Sequence, residues 1–477
     1  MASEGTRTGW KERVLAPFAK VEPGEAGVAM LMTLTVFLIL CAYYVLKPAR
    51  EQLLLPTTLF GIPGPELKSY AGAAMALVFI GIVPAYGRLA NSVGRLRLIN
   101  ICYTIVIICL ATFFVLAQLH VPQLGLAFFI WIGLINMFLV AQFWSYANDI
   151  YNEEQGKRLF AIIAVGGSLG AILGPKVAEL VSVYSGMLMA AGLLGVCIVL
   201  FNVIDKLDTD RESTDAEKEK AKAPVGGEDG FKLVLTNRYL LLIAMMVLCA
   251  NFVNTTGEFL LGHAAAEHAK EVVHAAAATA QLTGDAFDKA VGKEIGKFYS
   301  DLYFWVNLIG FLVQAFVVSR VIKWFGVRVA LFVLPLVALS GYAAFFSLGG
   351  LAVIRLVKIG ENAADYSIQN TVRQALWLPT SREEKYKAKA AIDTFFLRLG
   401  DALSGFFILL VIHTLHMSVR FVGGVNFLVA IVFVLISVGI AREHKKLEAK
   451  AEAEGKPTGE PGSEKRKEPS GRLAEAT

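Results

Sequence analysis

Charged residues are scarce in this sequence. Only 18% of its 477 residues are Asp, Glu, Lys or Arg, whereas about 25% is usual for a soluble domain, so a soluble enzyme is excluded. The five cysteines are odd in number and all lie in apolar runs, which excludes a secreted scaffold held by disulfides. Because 56% of the residues are hydrophobic, a collagen-like or disordered chain is excluded as well.

Apolar stretches of about 20 residues recur along the chain, and each is long enough to cross a bilayer core of roughly 30 Å as a helix. Backbone groups cannot stay unpaired in lipid, so the sequence predicts an all-α membrane protein with twelve transmembrane helices. These helices are predicted at 27–47, 70–87, 99–118, 124–150, 159–183, 186–204, 239–261, 299–320, 328–346, 350–376, 389–413 and 421–441.

Basic residues are distributed unevenly between the connecting loops. The four short loops near 87–98, 151–158, 319–328 and 378–389 hold 12 Lys and Arg residues, and the short loops on the other side hold one, Arg420. Short cytoplasmic loops carry the excess of Lys and Arg, so both termini are predicted to be cytoplasmic. The expected location is a bacterial inner membrane.

The second part of the chain repeats features of the first. Gly94 and Gly326 are offset by 232, Gly170 and Gly400 by 230, and Leu40-Cys41-Ala42 and Leu248-Cys249-Ala250 by 208. Two tandem six-helix halves of this kind are typical of major-facilitator transporters. The predicted organisation is an N-terminal segment 1–26, a first half 27–204, a charged linker 205–238, a second half 239–441 and a charged tail 442–477. The Ala-rich insert 262–298 is expected to form short helices outside the membrane.

Two cations lie at the end of the first predicted helix, where Lys47 and Arg50 surround Pro48 and precede Glu51. Pro48 removes a backbone donor, so we expect the helix to kink or break there. A broken helix beside two cations favours an anion site. The alternative is that both side chains extend to the membrane surface as anchors.

Polar residues follow one face of the tenth predicted helix. Arg355, Lys358, Asn362, Asp365 and Gln369 are spaced by three or four residues, and Arg373 extends the row. A polar face on a membrane helix is expected to line water or a ligand. The alternative is internal pairing, such as that of Lys358 with Glu361, which serves only helix packing.

Other candidate residues lie on the remaining helices. Asn148 belongs to a polar stripe on the fourth helix that fits either a cavity or helix packing, and Glu258 ends the seventh helix. Gly166 to Gly170 lacks the Gly-Lys-Ser/Thr ending of a phosphate loop, so close helix packing is expected there. The loop at 87–97 looks like the cytoplasmic gating loop of major-facilitator proteins, and its predicted gating residues are Gly87, Asn91, Gly94 and Arg95.

Three blocks of sequence resemble the ATP/ADP translocases of plastids and obligate intracellular bacteria. They are Val45 to Glu51, Phe143 to Ile150, and the stretch from Tyr366 to Asp393. This chain departs from the family pattern at Pro48, at Ala388 where the family has glycine, and in lacking an acidic residue in the middle of the fourth helix. The resemblance implies that Lys47, Arg50 and Arg373 contact the substrate.

These observations predict a transporter that exchanges nucleotides of the ATP/ADP type by alternating access. The predicted substrate-binding residues are Lys47, Arg50, Arg355, Lys358, Arg373, Asn148 and Asn362. Two other functions stay open: a proton-coupled carrier of another organic anion, with Glu51, Glu258 or Asp365 carrying the proton, and a membrane scaffold or sensor that does not transport. No catalytic constellation is found, so an enzyme is not expected, and no metal, cofactor or nucleic acid is expected either.

Overall fold

The computed structural model describes residues 22, 25–119, 121, 123–151, 153–208, 230–280, 284–381 and 384–453. Most of the predicted N-terminal segment 1–26, residues 209–229 of the predicted linker and residues 454–477 of the predicted tail lie outside the described residues.

Helices make up nearly all of the described chain. The first group is α1 (Ala26–Leu54), α2 (Gly64–Ser92), α3 (Arg95–Gln118), α4 (Leu124–Ile150), α5 (Glu153–Leu180) and α6 (Val183–Asp208). After the short α7 (Gly230–Thr236) come α8 (Arg238–Ala280), α9 (Asp285–Leu312), α10 (Ser319–Ala330), α11 (Val333–Leu348), α12 (Leu351–Ala364), α13 (Asn370–Ala375), α14 (Lys389–Ala391), α15 (Leu397–Ile408) and α16 (Val419–Ala453). Helical turns with π geometry fill Val313–Val318, Asp365–Gln369, Glu384–Ala388, Ile392–Phe396 and Leu409–Thr414.

Length and hydropathy identify membrane-crossing segments among these helices. In the described part of the chain, nine helical segments are long and apolar enough to cross a bilayer. They are Ala26–Leu54, Arg95–Gln118, Leu124–Ile150, Arg158–Leu180, Val183–Leu207, Arg238–Ala276, Asp285–Ala330, Ile392–Thr414 and Val419–Ala449. The prediction of a helical, multi-pass membrane fold is confirmed.

A two-stranded hairpin joins α1 to α2, and the sequence analysis did not predict it. Strand β1 (Thr58–Leu59) pairs antiparallel with β2 (Ile62–Pro63). The two residues between them, Phe60 and Gly61, both have positive φ, at 55° and 76°. This is the loop conformation that tight two-residue hairpins require, and glycine adopts it without strain.

Two local features differ from the predictions. Helix α1 continues through Pro48 to Leu54 without a break, because one proline removes a single backbone hydrogen bond and packed neighbours hold the helix on both sides. The insert 262–298 does not form short helices. It is the end of the 43-residue α8 and the start of α9, because its many alanines favour helix propagation.

The packing of the helices follows the same plan in both parts of the chain. Helix α1 packs against α4, α5 and α6, and α8 packs against α12, α15 and α16. The two groups meet where α9 contacts α1 and α5 and where α2 contacts α8 and α15. One apolar cluster fills the first group and another fills the second, and a third joins Leu55 of the first group to α8, α9 and their neighbours.

Glycines bring α1 and α5 into close contact. A Cβ atom at Gly166, Gly170 or Gly174 would overlap the backbone carbonyl oxygen of Thr33, Phe37 or Cys41, respectively. Both rows have a spacing of four residues, so the two helices run parallel with one face of each in contact. This confirms that the glycine run serves helix packing.

We expect Gly170→Ala to lower the free energy of unfolding by about 1–3 kcal/mol, because the new methyl group would meet backbone atoms that cannot rotate away. The matched control is Gly195→Ala on α6, where an added Cβ meets nothing within 4 Å. It should keep or raise stability, since alanine is the better helix former. Thermal unfolding of the purified variants measures this, and equal shifts in both would contradict the packing role.

Candidate functional site

A charged cavity of about 180 Å³ lies between the two groups of helices. Side chains from α1, α2, α4, α8, α9, α12 and α15 line it. They include Lys47, Arg50, Lys68, Phe129, Asn254, Thr255, Glu258, Tyr303, Asn362, Tyr366 and Asp401.

Lys47 is a buried cation held by aromatic rings. Its Nζ atom lies 4.0 Å from the centre of the Tyr303 ring and 5.1 Å from that of Tyr44. Ring faces attract a cation through their quadrupole without neutralising its charge. Among the described residues, no carboxylate oxygen lies within 4.0 Å of Lys47 Nζ, so its charge is available to an anion that enters the cavity.

Arg50 and Glu51 form a pair beside Lys47. Arg50 Nε donates a hydrogen bond of 3.1 Å to Glu51 Oε1, and the guanidinium carbon lies 4.6 Å from the centre of the Phe129 ring. The Glu51 side chain is fully buried and also accepts a hydrogen bond of 3.4 Å from the Tyr303 hydroxyl. Glu51 therefore compensates part of the positive charge at this end of α1.

Lys68 on α2 lies between two carboxylates, and the sequence analysis missed it. Its Nζ is 3.0 Å from Glu51 Oε2 and 3.1 Å from Glu258 Oε2. Lys68 comes just before the apolar run that begins at residue 70, so from the sequence it was interpreted as a residue at the boundary of the membrane helix. The signal in the sequence was a cation within two residues of a membrane segment.

On α12, Lys358 lies in a network of buried polar groups. Lys358 Nζ donates to Asn254 Oδ1 at 2.7 Å and to Glu361 Oε2 at 3.2 Å, and it lies 3.6 Å from Glu258 Oε1. The Tyr342 hydroxyl donates to Glu361 Oε2 at 2.9 Å. Lys358 therefore pairs with Glu361, as the packing alternative predicted from the sequence, and it also lies close to Glu258.

Asn362, one turn after Lys358, lines the cavity, and its Nδ2 donates to Glu258 Oε1 at 3.4 Å. On the polar face of α12, Asn362 thus lines the cavity. Lys358 does not line it, and contacts Glu258 on the side away from the cavity.

Five cations and four carboxylates meet in this region, which leaves a formal excess of one positive charge. They are Lys47, Arg50, Lys68, Lys358 and Arg398 with Glu51, Glu258, Glu361 and Asp401. Ionised groups buried in a membrane protein need partners, and this excess favours an anionic ligand.

Four predicted substrate-binding residues do not line this cavity. Lys358 lies on the far side of Glu258 from it, and the other three are farther away. Arg355 pairs with Asp301 in a second cavity of about 260 Å³. Arg373 lies 3.8 Å from Asp393 and lines a third space of about 80 Å³ together with Asp365 and Glu361. Asn148 is exposed near the end of α4.

Arg95, the predicted gating residue that begins α3, lies at the far end of the first group of helices. Its guanidinium is 3.3 Å from Asp205 on α6 and 3.8 Å from Asp149 on α4, and it lies over the Tyr146 ring at 4.8 Å. Gly94 caps α3, while Gly87 and Asn91 belong to the last turns of α2. The ion pairs of Arg95 thus connect this loop to the ends of α4 and α6.

Metal ligation is not a feature of the described residues, which contain no group of three His, Cys, Asp or Glu side chains placed to hold an ion.

Two family profiles match this chain. Residues 32–379 match the profile of the Major Facilitator Superfamily, and residues 351–444 match that of the TLC ATP/ADP transporters. The second match covers α12 to most of α16 and includes the whole of the third sequence block that resembled the ATP/ADP translocases. That resemblance is confirmed.

Curated relatives are ADP,ATP carrier proteins of Chlamydia and Rickettsia. ADP,ATP carrier protein 1 of Chlamydia trachomatis is 23% identical over 313 residues, which are 56% of this chain and 54% of the relative. ADP,ATP carrier protein 3 of Rickettsia bellii is 22% identical over 62% of this chain and 64% of its own length. The matched region thus spans little more than half of the Chlamydia carrier and somewhat under two thirds of the Rickettsia carrier.

Solved transporter structures share the fold. The nucleoside transporter NupG aligns with a TM-score of 0.53 at 15% identity, over 88% of this chain and 99% of its own. A POT family transporter in complex with 5-aminolevulinic acid aligns with a TM-score of 0.58 at 14% identity, over 86% and 96%. These relatives are carriers and transporters, which confirms the prediction that the chain is not an enzyme. Because the superfamily profile spans most of the helical region and solved transporters share that fold over nearly their whole length, this chain belongs to the Major Facilitator Superfamily.

Proposed function

We propose that this protein exchanges nucleotides of the ATP/ADP type across a membrane by alternating access. The observation that carries the proposal is Lys47, a buried cation that lines the cavity and lies against tyrosine rings instead of a carboxylate. A phosphate oxygen would supply the missing negative charge through a charge-assisted hydrogen bond. The names of the curated relatives, ADP,ATP carriers, support a nucleotide as the source of that phosphate.

The remaining cavity residues suit other parts of such a ligand. Arg50 is a second phosphate donor, and its planar guanidinium allows two parallel hydrogen bonds. Phe129 and Tyr366 offer ring faces for a base, and Asn362 offers an amide for hydrogen bonding. The cavity of about 180 Å³ is smaller than the roughly 300–1,000 Å³ of typical small-molecule sites, so binding requires the two groups of helices to separate further.

Arg355, Arg373 and Asn148 stay predicted substrate contacts, at positions away from this cavity. A solute that crosses the membrane passes several polar positions in turn, and alternating access changes which of them are exposed. Glu51, Glu258 and Asp365 stay the predicted charge-compensating groups.

We also propose twelve membrane-crossing helices in two six-helix halves, with both termini cytoplasmic and a bacterial inner membrane as the location. One structural correspondence supports the two halves. Gly170 on α5 packs against the carbonyl of Phe37 on α1, and Gly400 on α15 packs against the carbonyl of Leu248 on α8. A similar contact thus recurs in both parts of the chain. Gly170 and Gly400 keep their offset of 230, while the partners Phe37 and Leu248 are 211 apart, within one helical turn of the offset of 208.

For the topology, we expect Asp215→Cys to stay unlabelled when an impermeant thiol reagent is added to intact cells that carry a cysteine-free background. Residue 215 lies in the predicted cytoplasmic linker, and the excess of basic residues in the short loops predicts that this side faces the cytoplasm. Labelling should occur after permeabilisation. Efficient labelling of intact cells would contradict the orientation.

For the phosphate site, we expect Lys47→Gln and Arg50→Gln each to weaken ATP and ADP binding by about 1.5–3 kcal/mol, the range for hydrogen bonds to charged groups. That corresponds to roughly a tenfold to hundredfold loss of affinity. Titration calorimetry of the purified protein measures it, with uncharged adenosine as a ligand that should lose little.

The matched control is Lys270→Gln, which removes an exposed lysine paired with Glu267, outside the cavity. It should bind nucleotide like the unaltered protein. If Lys47→Gln and Arg50→Gln also bind nucleotide normally, these residues are membrane anchors and the phosphate site is wrong.

A proton-coupled carrier of another organic anion is the second candidate, because the carboxylate of Glu258 lines the cavity between Lys68 and Lys358. Proteoliposomes distinguish the two functions. Exchange requires nucleotide inside the vesicle and proceeds without a pH gradient, whereas proton coupling requires the gradient and no internal nucleotide. A scaffold or sensor without transport would show neither.

A further inference from the structure

The second cavity, which contains Arg355, lies between the later part of α8, the first half of α9 and the first turns of α12. Its volume is about 260 Å³, compared with about 180 Å³ for the central cavity. The small side chains of Ala265 and Ala269 on α8 leave room between the three helices, and Glu294 and Lys297 on α9 face Arg355 across that space.

This cavity lies at the level of the membrane surface. His268, which lines it, follows Glu258 of the central cavity by ten residues on α8, and that is about 15 Å along the helix. Substrate sites of such transporters lie near the middle of the bilayer, and half of the hydrocarbon core is also about 15 Å thick. A solute in the surrounding water therefore reaches the second cavity without crossing lipid. On the proposed topology, that water is outside the cell.

One face of α12 connects the two cavities. Arg355 lines the second cavity and Asn362 lines the central one. Their spacing of seven residues places both on the same face, about 10 Å apart along the helix axis. A solute bound at Arg355 is thus two helical turns from the central cavity.

Arg355 keeps one hydrogen-bond donor unpaired. Its guanidinium pairs with Asp301, and Asp301 is also 3.5 Å from Lys176 of α5. Lys176 in turn contacts Glu179 at 3.2 Å. The Nε–H group of Arg355 is buried and has no acceptor among the described residues. Buried donors are normally paired, so an anion that binds Arg355 would satisfy a group that the described chain leaves unpaired.

Lys297 and Glu294 line the same cavity, one helical turn apart, without ion-pair partners. Within the described ranges, no carboxylate oxygen lies within 4.0 Å of Lys297 Nζ, and no basic nitrogen lies within 4.0 Å of the Glu294 carboxylate. The cavity thus offers a cation that can bind an anion and a carboxylate that can accept hydrogen bonds. A ligand that carries both an anionic group and hydroxyl groups fits this pair.

We propose that the second cavity is an outer binding site that holds the nucleotide before it enters the central cavity. Arg355 and Lys297 bind phosphate oxygens through charge-assisted hydrogen bonds, Glu294 accepts hydrogen bonds from ribose hydroxyls, and the nearby Phe298 ring offers a face for the base. The identity of the ligand rests on the proposed nucleotide exchange, whereas the site rests on the residues of the second cavity.

Val272 is a suitable reporter of this site. It lines the second cavity and is 41% exposed, so Val272→Cys should react quickly with a maleimide in the purified full-length protein with its native cysteines replaced. Bound ADP should cover the thiol and slow the reaction severalfold. The matched control is Val121→Cys, because Val121 is 37% exposed and lies outside the cavity. ADP should leave its rate unchanged.

We expect Arg355→Gln and Lys297→Gln each to raise the ADP concentration that gives half-maximal protection of Val272→Cys by about tenfold or more, because each removes a hydrogen bond to phosphate from a charged donor. Lys297 is exposed, so Lys297→Gln covers the case in which Arg355→Gln does not fold. The matched control is Lys293→Gln, an exposed lysine one turn earlier on α9 and outside the cavity. Equal protection in Lys297→Gln and Lys293→Gln would overturn the site.

Lys47→Gln separates the outer site from the central one. Protection of Val272→Cys by ADP should persist in this variant, because Lys47 does not line the second cavity, and loss of protection would overturn the outer site. If calorimetry shows ADP binding that depends on Lys47 while Val272→Cys stays unprotected, the outer site is wrong and the proposed function stands. If ADP protects Val272→Cys but proteoliposomes do not exchange it, the outer site stands and the proposed function is wrong.

A phospholipid headgroup also carries a phosphate next to hydrogen-bond donors, and a measurement without nucleotide distinguishes it. In the absence of ADP, Val272→Cys should react at the same rate in detergent micelles and in nanodiscs that contain phosphatidylethanolamine. Slower labelling in the nanodiscs, with the rate of Val121→Cys unchanged, would mean that a lipid headgroup occupies the cavity. That result would overturn the nucleotide site.

Discussion

Charges removed from water must find partners, and the central cavity of this protein depends on that constraint. Lys68, Glu51 and Glu258 neutralise one another across the boundary between the two groups of helices. On the other side of Glu258, Lys358 is itself held by Asn254 and Glu361. The contact between the two groups thus contains a buried charge network beside the apolar packing of Leu55, so a change of charge in the cavity acts on the contact directly.

Lys47 differs from its neighbours because aromatic rings surround it. A ring face attracts an ammonium group from many directions, while a carboxylate fixes it with directed hydrogen bonds. The lysine is therefore held in place without being neutralised. A ligand that reaches it does not first have to break an ion pair.

The sequence was sufficient for the class of fold and for part of the site. Long apolar runs predicted the helices, and the short spacing of Lys47, Arg50 and Glu51 placed them together because neighbours on one helix stay close. Lys68 and Tyr303 were missed because their partners are far away in the sequence: Lys68 pairs with Glu258, 190 residues later. Arg355 and Arg373 share the polar face of one helical segment with Asn362, yet their partners, Asp301 and Asp393, hold them away from the cavity. The spacing of residues along one helix predicts which side chains share a face of that helix. It does not predict which residues of the neighbouring helix those side chains will contact.

Helix α8 is 43 residues long, which corresponds to about 65 Å at the rise of an α-helix. That is roughly twice the thickness of a bilayer hydrocarbon core, so about half of the helix extends beyond it, next to the first turns of α9. A rigid rod that is held within the bundle acts as a lever. The tip at Ala280 is about 33 Å from Glu258 along the helix, so a tilt of about 5° near Glu258 moves the tip by about 3 Å and the far end of α8 amplifies movements that are small at the cavity.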